Sequence, residues 1–408
     1  MIHNPISIMN TLVVACTLSQ WLQNYNLRAV HLVVSLLGIA TDQSSECHSV
    51  TLFTPSGATI RTVSITPATK VADICLHGER LFVEGDYETP LQQTSLLWKH
   101  VTGGHLTVIL SKFEGIVDRV LKTQAHSVSW HPDGTKLASG SEDGIVRIWD
   151  MAFNSSKCIA ICQGHTSDVN TVQWNPSGTK LASASDDTTI RIWDTTTGKC
   201  LHILQGHFNF VLSIGWHPSG NWIASGGYDS TIRIWDLTST RPKCLRVLKG
   251  HTMAVRSLNW NPNGTHLASG SSDNAIRIWT IDSRTGKCVH VLKGHTYTVY
   301  DVQWNPTGTL LASASSDGTI CIWQTDTWKC TTILRGHTRT VYSISWNSPG
   351  TLLASGSADK TIRIWNTDSW QCLHVLRNHV GCVACIKWHP RGMYLASASL
   401  YRGIQIWN

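Results

Sequence analysis

From residue 116 onward, apolar and polar positions alternate in short runs broken by turn residues, and the same text recurs seven times. One copy, Val169 to His207, reads "VNTVQWNPSGTKLASASDDTTIRIWDTTTGKCLHILQGH". Its four period-two runs suit β-strands. Asn175-Pro176-Ser177-Gly178 and Asp186-Asp187-Thr188-Thr189 supply tight-turn chemistry between them, and Thr195 to Gly198 a looser connection. No segment after residue 116 carries the i, i+3, i+4, i+7 apolar spacing of a surface helix over a useful length, so this part of the chain is expected to be all-β.

The tryptophans set the period. One series is Trp130, Trp174, Trp216, Trp260, Trp304, Trp346 and Trp388; the other is Trp149, Trp193, Trp235, Trp279, Trp323, Trp365 and Trp407. Both step by 44, 42, 44, 44, 42 and 42 residues. A fixed period of this size marks a repeat architecture whose units bury their apolar faces only against their neighbours.

Gly-His, then Leu-Ala-Ser-x-Ser-x-Asp, then Ile-Arg-Ile-Trp-Asp resembles the WD-repeat family of β-propellers over residues 116–408. The resemblance implies a seven-bladed ring of four-stranded antiparallel sheets around a central channel. The seventh unit reaches Asn408 after only three strands, and Ile116 to Lys122 is similar to the fourth-strand texts "CLRVLKG" and "CVHVLKG". Segment 116–122 is therefore expected to close the ring against the last blade, leaving no raw sheet edge at the seam.

A hydrolase-like set of His, Ser and Asp recurs with the third-strand Trp: His165, Ser183, Asp187 and Trp193; His207, Ser225, Asp229 and Trp235; His251, Ser269, Asp273 and Trp279; His295, Ser313, Asp317 and Trp323; His337, Ser355, Asp359 and Trp365. An active site is needed once, so repetition argues against catalysis. In the family such residues form a structural hydrogen-bonded tetrad, and the resemblance implies the same here; the sequence does not settle which serine of each Ser-x-Ser joins it, and the first is taken as the member. The groups are chemically able to satisfy one another in series. The end units depart from the pattern: the first keeps Ser139, Asp143 and Trp149 but lacks Gly-His, and the seventh keeps His379, Ser397 and Trp407 but has Tyr401 in place of Asp.

Net charge is +7 and the pI is near 8.8, with the basic excess spread along the chain rather than run together. Much of it is the repeated Arg147, Arg191, Arg233, Arg277 and Arg363, which the repeat explains. This balance names no nucleic-acid partner. Thirteen cysteines do not read as a disulfide framework: Cys158, Cys200, Cys244, Cys288, Cys330 and Cys372 hold the same place in successive units, too far apart to bridge. Reduced thiols favour a cytoplasmic or nuclear setting. Cys382 and Cys385 form a lone C-x-x-C inside an innermost strand, which reads as core packing rather than a zinc site. No phosphate loop, H-E-x-x-H or G-x-S-x-G is visible, and no cofactor or metal is expected.

Residues 1–115 read as an irregular N-terminal extension. Leu12 to Cys16 and Ala29 to Ala40 are apolar but too short to span a bilayer, and suggest a buried or partner-docking helix. Met1 to Asn10 lacks the basic start of a signal peptide. From His48 to Gly115 alternating stretches suggest strands, with a degenerate or eighth blade as one reading.

Function is sought where the copies differ. The loop after Gly-His and the turn before the tetrad Asp form the usual contact face of WD-repeat proteins. These positions hold Glu142 in the first unit, Asp168 and Asp186 in the second, Phe208, Phe210 and Tyr228 in the third, Met253 in the fourth, Tyr297 in the fifth and Arg339 in the sixth. Aromatic and apolar anchors of this kind suit peptides. The expectation is a non-catalytic scaffold that binds other proteins or peptides, without a membrane, as a subunit of a larger complex. Two alternatives remain. One is a nucleic-acid-associated subunit of an RNA-processing or chromatin complex that uses the positive charge, where the main reading expects nucleic acid to be met only indirectly; "WNPTGTLLASASSDG" looks similar to transducin-beta-like corepressor blades. The other is a ubiquitin-ligase substrate receptor, although the Trp-Asp-x-Arg signature of cullin-4 adaptors is absent after Trp149, Trp193 and Trp235.

Overall fold

The structure, a computed structural model, describes residues 115–408 apart from 152–155, 282–284, 393 and 400–402; of residues 1–114 it describes only strand backbones. The chain divides into two units, Met1–Glu114 and Gly115–Asn408. In the first, five strands form an antiparallel sheet in the order Thr59–Ile65, His48–Phe53, Val30–Ser35, His105–Leu110, Leu96–Thr102. Val30–Ser35 lies in the segment expected to be helical and is instead a strand. Its Val-His-Leu-Val-Val-Ser run is rich in β-branched residues, which favour a pleated strand over a helix. Leu12 to Cys16 lies outside the described residues.

The second unit holds seven four-stranded antiparallel sheets. Blade two is representative: Val169–Trp174 innermost, then Lys180–Ser185, Ile190–Asp194 and Cys200–Leu204. The innermost strands end at the first tryptophan series in every blade. Neighbouring sheets stack face to face. Ala182, Ile190, Ile192 and Leu204 of blade two bury against Val211, Ile214, Trp216 and Trp235 of blade three, and this seam recurs around the ring. Fully burying each aliphatic side chain contributes about 1.5–3 kcal/mol.

The ring closes on seven blades, with no eighth. Val117–Leu121 pairs with Gly403–Trp407 as the outermost strand of blade seven, and the amide of Asn408 donates to the Ile116 carbonyl at 3.0 Å. At the same seam Trp130 Nε1 of blade one donates to the Lys387 carbonyl of blade seven at 3.1 Å. His389 Nε2 donates to the Gly134 carbonyl at 3.1 Å, and its ring sits edge-on to Trp130. Gly134 has φ +80, and a Cβ there would run into the His389 imidazole, so only glycine lets the two blades approach this closely.

An innermost strand has one edge facing the channel, and its amides need acceptors. The preceding blade supplies them. The Val172 amide donates to Ser127 Oγ, Leu258 to Ser213 Oγ, Val302 to Ser257 Oγ, Ile344 to Asp301 Oδ2 and Ile386 to Ser343 Oγ. These bonds fix the angular register from blade to blade. Asp301 is the one carboxylate in this series, and it also accepts from the hydroxyls of Ser257 at 2.8 Å and Ser343 at 3.3 Å.

Candidate protein-binding face

Five blades carry a complete hydrogen-bonded chain behind one face of the ring. In blade two Trp193 Nε1 donates to Ser183 Oγ at 2.7 Å, Ser183 lies 2.7 Å from His165 Nε2, and His165 Nδ1 lies 2.7 Å from Asp187 Oδ2. A carboxylate only accepts, so Nδ1 carries the proton and Nε2 takes the serine's, which assigns the neutral tautomer from the network. The same geometry, with every step between 2.7 and 2.9 Å, links Trp235, Ser225, His207 and Asp229; Trp279, Ser269, His251 and Asp273; Trp323, Ser313, His295 and Asp317; and Trp365, Ser355, His337 and Asp359. The first serine of each Ser-x-Ser is the member. The second has separate work: Ser185 Oγ accepts from the Asp187 amide and donates to the Ser167 carbonyl, tying turn to loop.

The Asp-His-Ser order resembles a nucleophilic triad, but Ser183, Ser225, Ser269, Ser313 and Ser355 are fully buried, so no substrate reaches them. The chain instead holds the loop after each His, since the next amide (Thr166, Phe208, Thr252, Thr296, Thr338) donates to the same carboxylate. Burial opposes ionisation of these aspartates. Hydrogen bonds from the histidine and from groups two residues on outweigh it, and hold all five carboxyls below their usual range, Asp273 at about 2.

The end blades solve the same problem differently. In blade one Trp149 Nε1 still donates to Ser139 Oγ at 2.9 Å, while Asp143 takes Arg147 Nη2 at 2.6 Å and Ser141 Oγ at 2.6 Å in place of a histidine. In blade seven Trp407 and His379 both meet Ser397 at 2.7 Å, and no group among the described residues meets His379 Nδ1. Burial lowers the His379 imidazole to about 4. Tyr401 lies outside the described residues.

On this scaffold sit the side chains that vary. Phe208 is 86% exposed, Tyr297 63% and Met253 54%, with Phe210 and Tyr228 also exposed. Phe210 and Tyr228 meet edge to face at 6.0 Å, and the Arg233 guanidinium lies 5.7 Å from the Phe208 ring. Glu142 and Asp168 flank His126 Nε2 at 3.7 Å each, and Asp186 accepts from Asn170 Nδ2 at 2.7 Å. Arg339 is exposed, with its carbonyl taking Ser357 Oγ at 3.4 Å. Of the C-x-x-C cysteines, Cys385 packs into the seam with blade one, its thiol 3.8 Å from the Val128 carbonyl.

The family model described as WD domain, G-beta repeat, matches residues 119–150, 156–194 and 370–408, and that described as WDR19 first beta-propeller matches 212–379. The chain belongs to the WD-repeat family. No curated protein matches it. WD-repeat propellers generally mediate protein interactions and scaffolding, and are generally non-catalytic.

The WD-repeat frame also shows what reading the loops alone missed. Arg256, Tyr300 and Tyr342 stand four residues before Trp260, Trp304 and Trp346 on innermost strands, and line the channel mouth. The Arg256 guanidinium lies 5.4 Å from the rings of both Tyr228 and Tyr300, and Tyr300 meets Tyr342 edge to face at 5.0 Å. Phe210, Tyr228, Arg256, Tyr300 and Tyr342 are thus one unbroken arc across blades three to six. The signal was available: this strand position reads His126, Asn170, Leu212, Arg256, Tyr300, Tyr342 and Ala384, different in nearly every copy.

Proposed function

We propose that this WD-repeat chain is a non-catalytic scaffold that binds protein or peptide partners on the face bearing the tetrad loops, and so nucleates assembly of a larger complex. The observation that carries this reading is the exposure of Phe208, Phe210, Tyr228, Met253 and Tyr297 on adjoining blades of a ring whose loops are each pinned by a buried tetrad. Exposed apolar side chains gathered on one face favour a covering partner. Because the framework is already ordered, most of the ordering cost on binding falls on the partner. Glu142, Asp168 and Asp186 on blades one and two and Arg339 on blade six give the face a charge asymmetry that orients what binds. We place the activity in the cytoplasm or nucleus, a setting supported by ten unpaired cysteines among the described residues.

Affinity purification with wild type and with Phe208→Ala/Phe210→Ala/Tyr228→Ala tests the reading. The triple variant should melt within a few degrees of wild type and lose copurifying proteins. Retention of the same set by a folded variant would remove this face from consideration.

A further inference from the structure

Arg256 is held in an unusual state for a half-buried cation. Its Nε donates to Ser272 Oγ at 3.1 Å, and Tyr228 and Tyr300 cover the guanidinium. Among the described residues no carboxylate pairs with it. It lines a cavity of about 340 Å³ at the centre of the ring together with Tyr300, Tyr342, Asp301 and Lys387. That volume is at the small end of ligand-sized cavities, right for a side chain and too small for a folded element. The Asp301 carboxylate in the same cavity is already engaged by Ser257, Ser343 and the Ile344 amide. An incoming cation would meet two like charges and a satisfied acid. An incoming carboxylate would meet a planar donor fork fixed in place by two aromatic rings, the geometry that guanidinium recognition of oxyanions needs.

We propose that Arg256 is the anchoring receptor for an Asp or Glu side chain of the protein partner, seated at the channel mouth, with a neighbouring apolar residue of the same partner segment on Phe208, Phe210 and Tyr228. This rests on the binding face proposed above and names the chemistry of its occupant. The acidic residues of blades one and two set the direction. Glu142, Asp168 and Asp186 repel an acidic end and attract a basic one, so the partner segment lies with its carboxylate toward blades four and five.

Selection of short random peptides on the immobilised full-length chain tests this, followed by titration of the enriched peptides against wild type, Arg256→Gln, Arg256→Lys and Phe208→Ala/Phe210→Ala. Thermal melts establish that each variant is folded. Enriched peptides should share an Asp or Glu beside an apolar residue. Arg256→Gln should weaken them by roughly 10- to 100-fold, the range for a lost charge-assisted hydrogen-bonded pair. Arg256→Lys should fall between, because a point charge replaces the fork. Changing the peptide acid to its amide should cost a similar factor against wild type and nothing further against Arg256→Gln. Peptides that lose affinity with the Phe variant yet lack an acid and ignore Arg256→Gln would overturn the carboxylate receptor and leave the binding face standing. Peptides indifferent to both variants would overturn both. Much tighter, Arg256-dependent binding of a phosphoserine version would replace the carboxylate with a phosphate group as the true occupant.

Discussion

His165 Nδ1 and Asp187 Oδ2 lie 2.7 Å apart, with the imidazole shut from solvent and the carboxylate 6% exposed. Four other blades repeat the pair, and His379 of blade seven lacks it among the described residues. The difference divides the ring into a well-tied majority and a softer seventh blade, where His379 meets Ser397 and His389 meets Gly134 of blade one.

Acid should therefore unfold the ring in two stages. Burial lowers His379 and His389 to about 4, against about 6.5 for a free imidazole. Between these values the unfolded chain takes up protons that the folded chain refuses, so stability falls as pH falls, by up to roughly 1.4 kcal/mol per histidine per pH unit. The tetrad carboxyls, lowered in the folded state, contribute stability that is present above about pH 3.9 and lost below it. His389→Asn, the residue at the matching place in four other blades, should flatten the slope of melting temperature from pH 6.5 to 4. An unchanged slope would contradict the assignment.

Ser183→Ala should cost more than Ser139→Ala. The first strands both a buried imidazole Nε2 and a buried indole N–H, for about 2–5 kcal/mol, whereas the second strands only the Trp149 indole, for about 1–3 kcal/mol. Denaturant melts of the two variants give the comparison, and equal losses would mean that the histidine link carries little.

Closure should be sensitive at Gly403. Its φ is +78, and a Cβ would meet the Leu121 carbonyl oxygen and the Thr123 backbone at 3.0 and 3.1 Å. Gly220 has a similar φ of +72, with only Pro176 nearby at 3.9 Å. Gly403→Ala should lose the ~1–2 kcal/mol of left-handed strain common to both and a clash term besides. Deleting Val117–Leu121 should lower the melting temperature sharply, since Gly403–Trp407 then presents a bare edge. Equal effects at Gly403 and Gly220, measured by thermal melts, would argue against a tight seam.

Asp301→Ser should be tolerated. Burial raises the Asp301 carboxyl, against the opposing pull of Lys387 and its three donors, so the folded ring disfavours its charged form. Serine, present at the matching place as Ser213, Ser257 and Ser343, keeps an acceptor for the Ile344 amide without that charge. The melting temperature at pH 7 should be no lower than wild type. A clear fall would show that the carboxylate ties blades four, five and six in a way a hydroxyl does not.

The pattern of alternation, the two tryptophan series and the turn chemistry were enough to read seven four-stranded units, because each unit is built from local contacts and copied. The recurring Trp, His and Asp of the tetrads were marked by their constant spacing and the family resemblance, whereas both serines of each Ser-x-Ser repeat equally, so only the hydrogen bonds of Ser183 and its counterparts decided between them. Val30–Ser35 was misread because a short apolar run has no period long enough to separate helix from strand.

What the sequence determined by itself is the blade, since in every sheet but the seventh hydrogen bonding joins neighbours in the chain. Tertiary structure alone decided what crosses from blade to blade: Arg256 between Tyr228 of the preceding blade and Tyr300 of the next, Asp301 joined to Ser343, Trp130 against His389. Those residues stand 28 to 259 positions apart in the chain. They meet because curvature accumulated over seven stacked sheets brings the last beside the first and turns every innermost strand toward one axis.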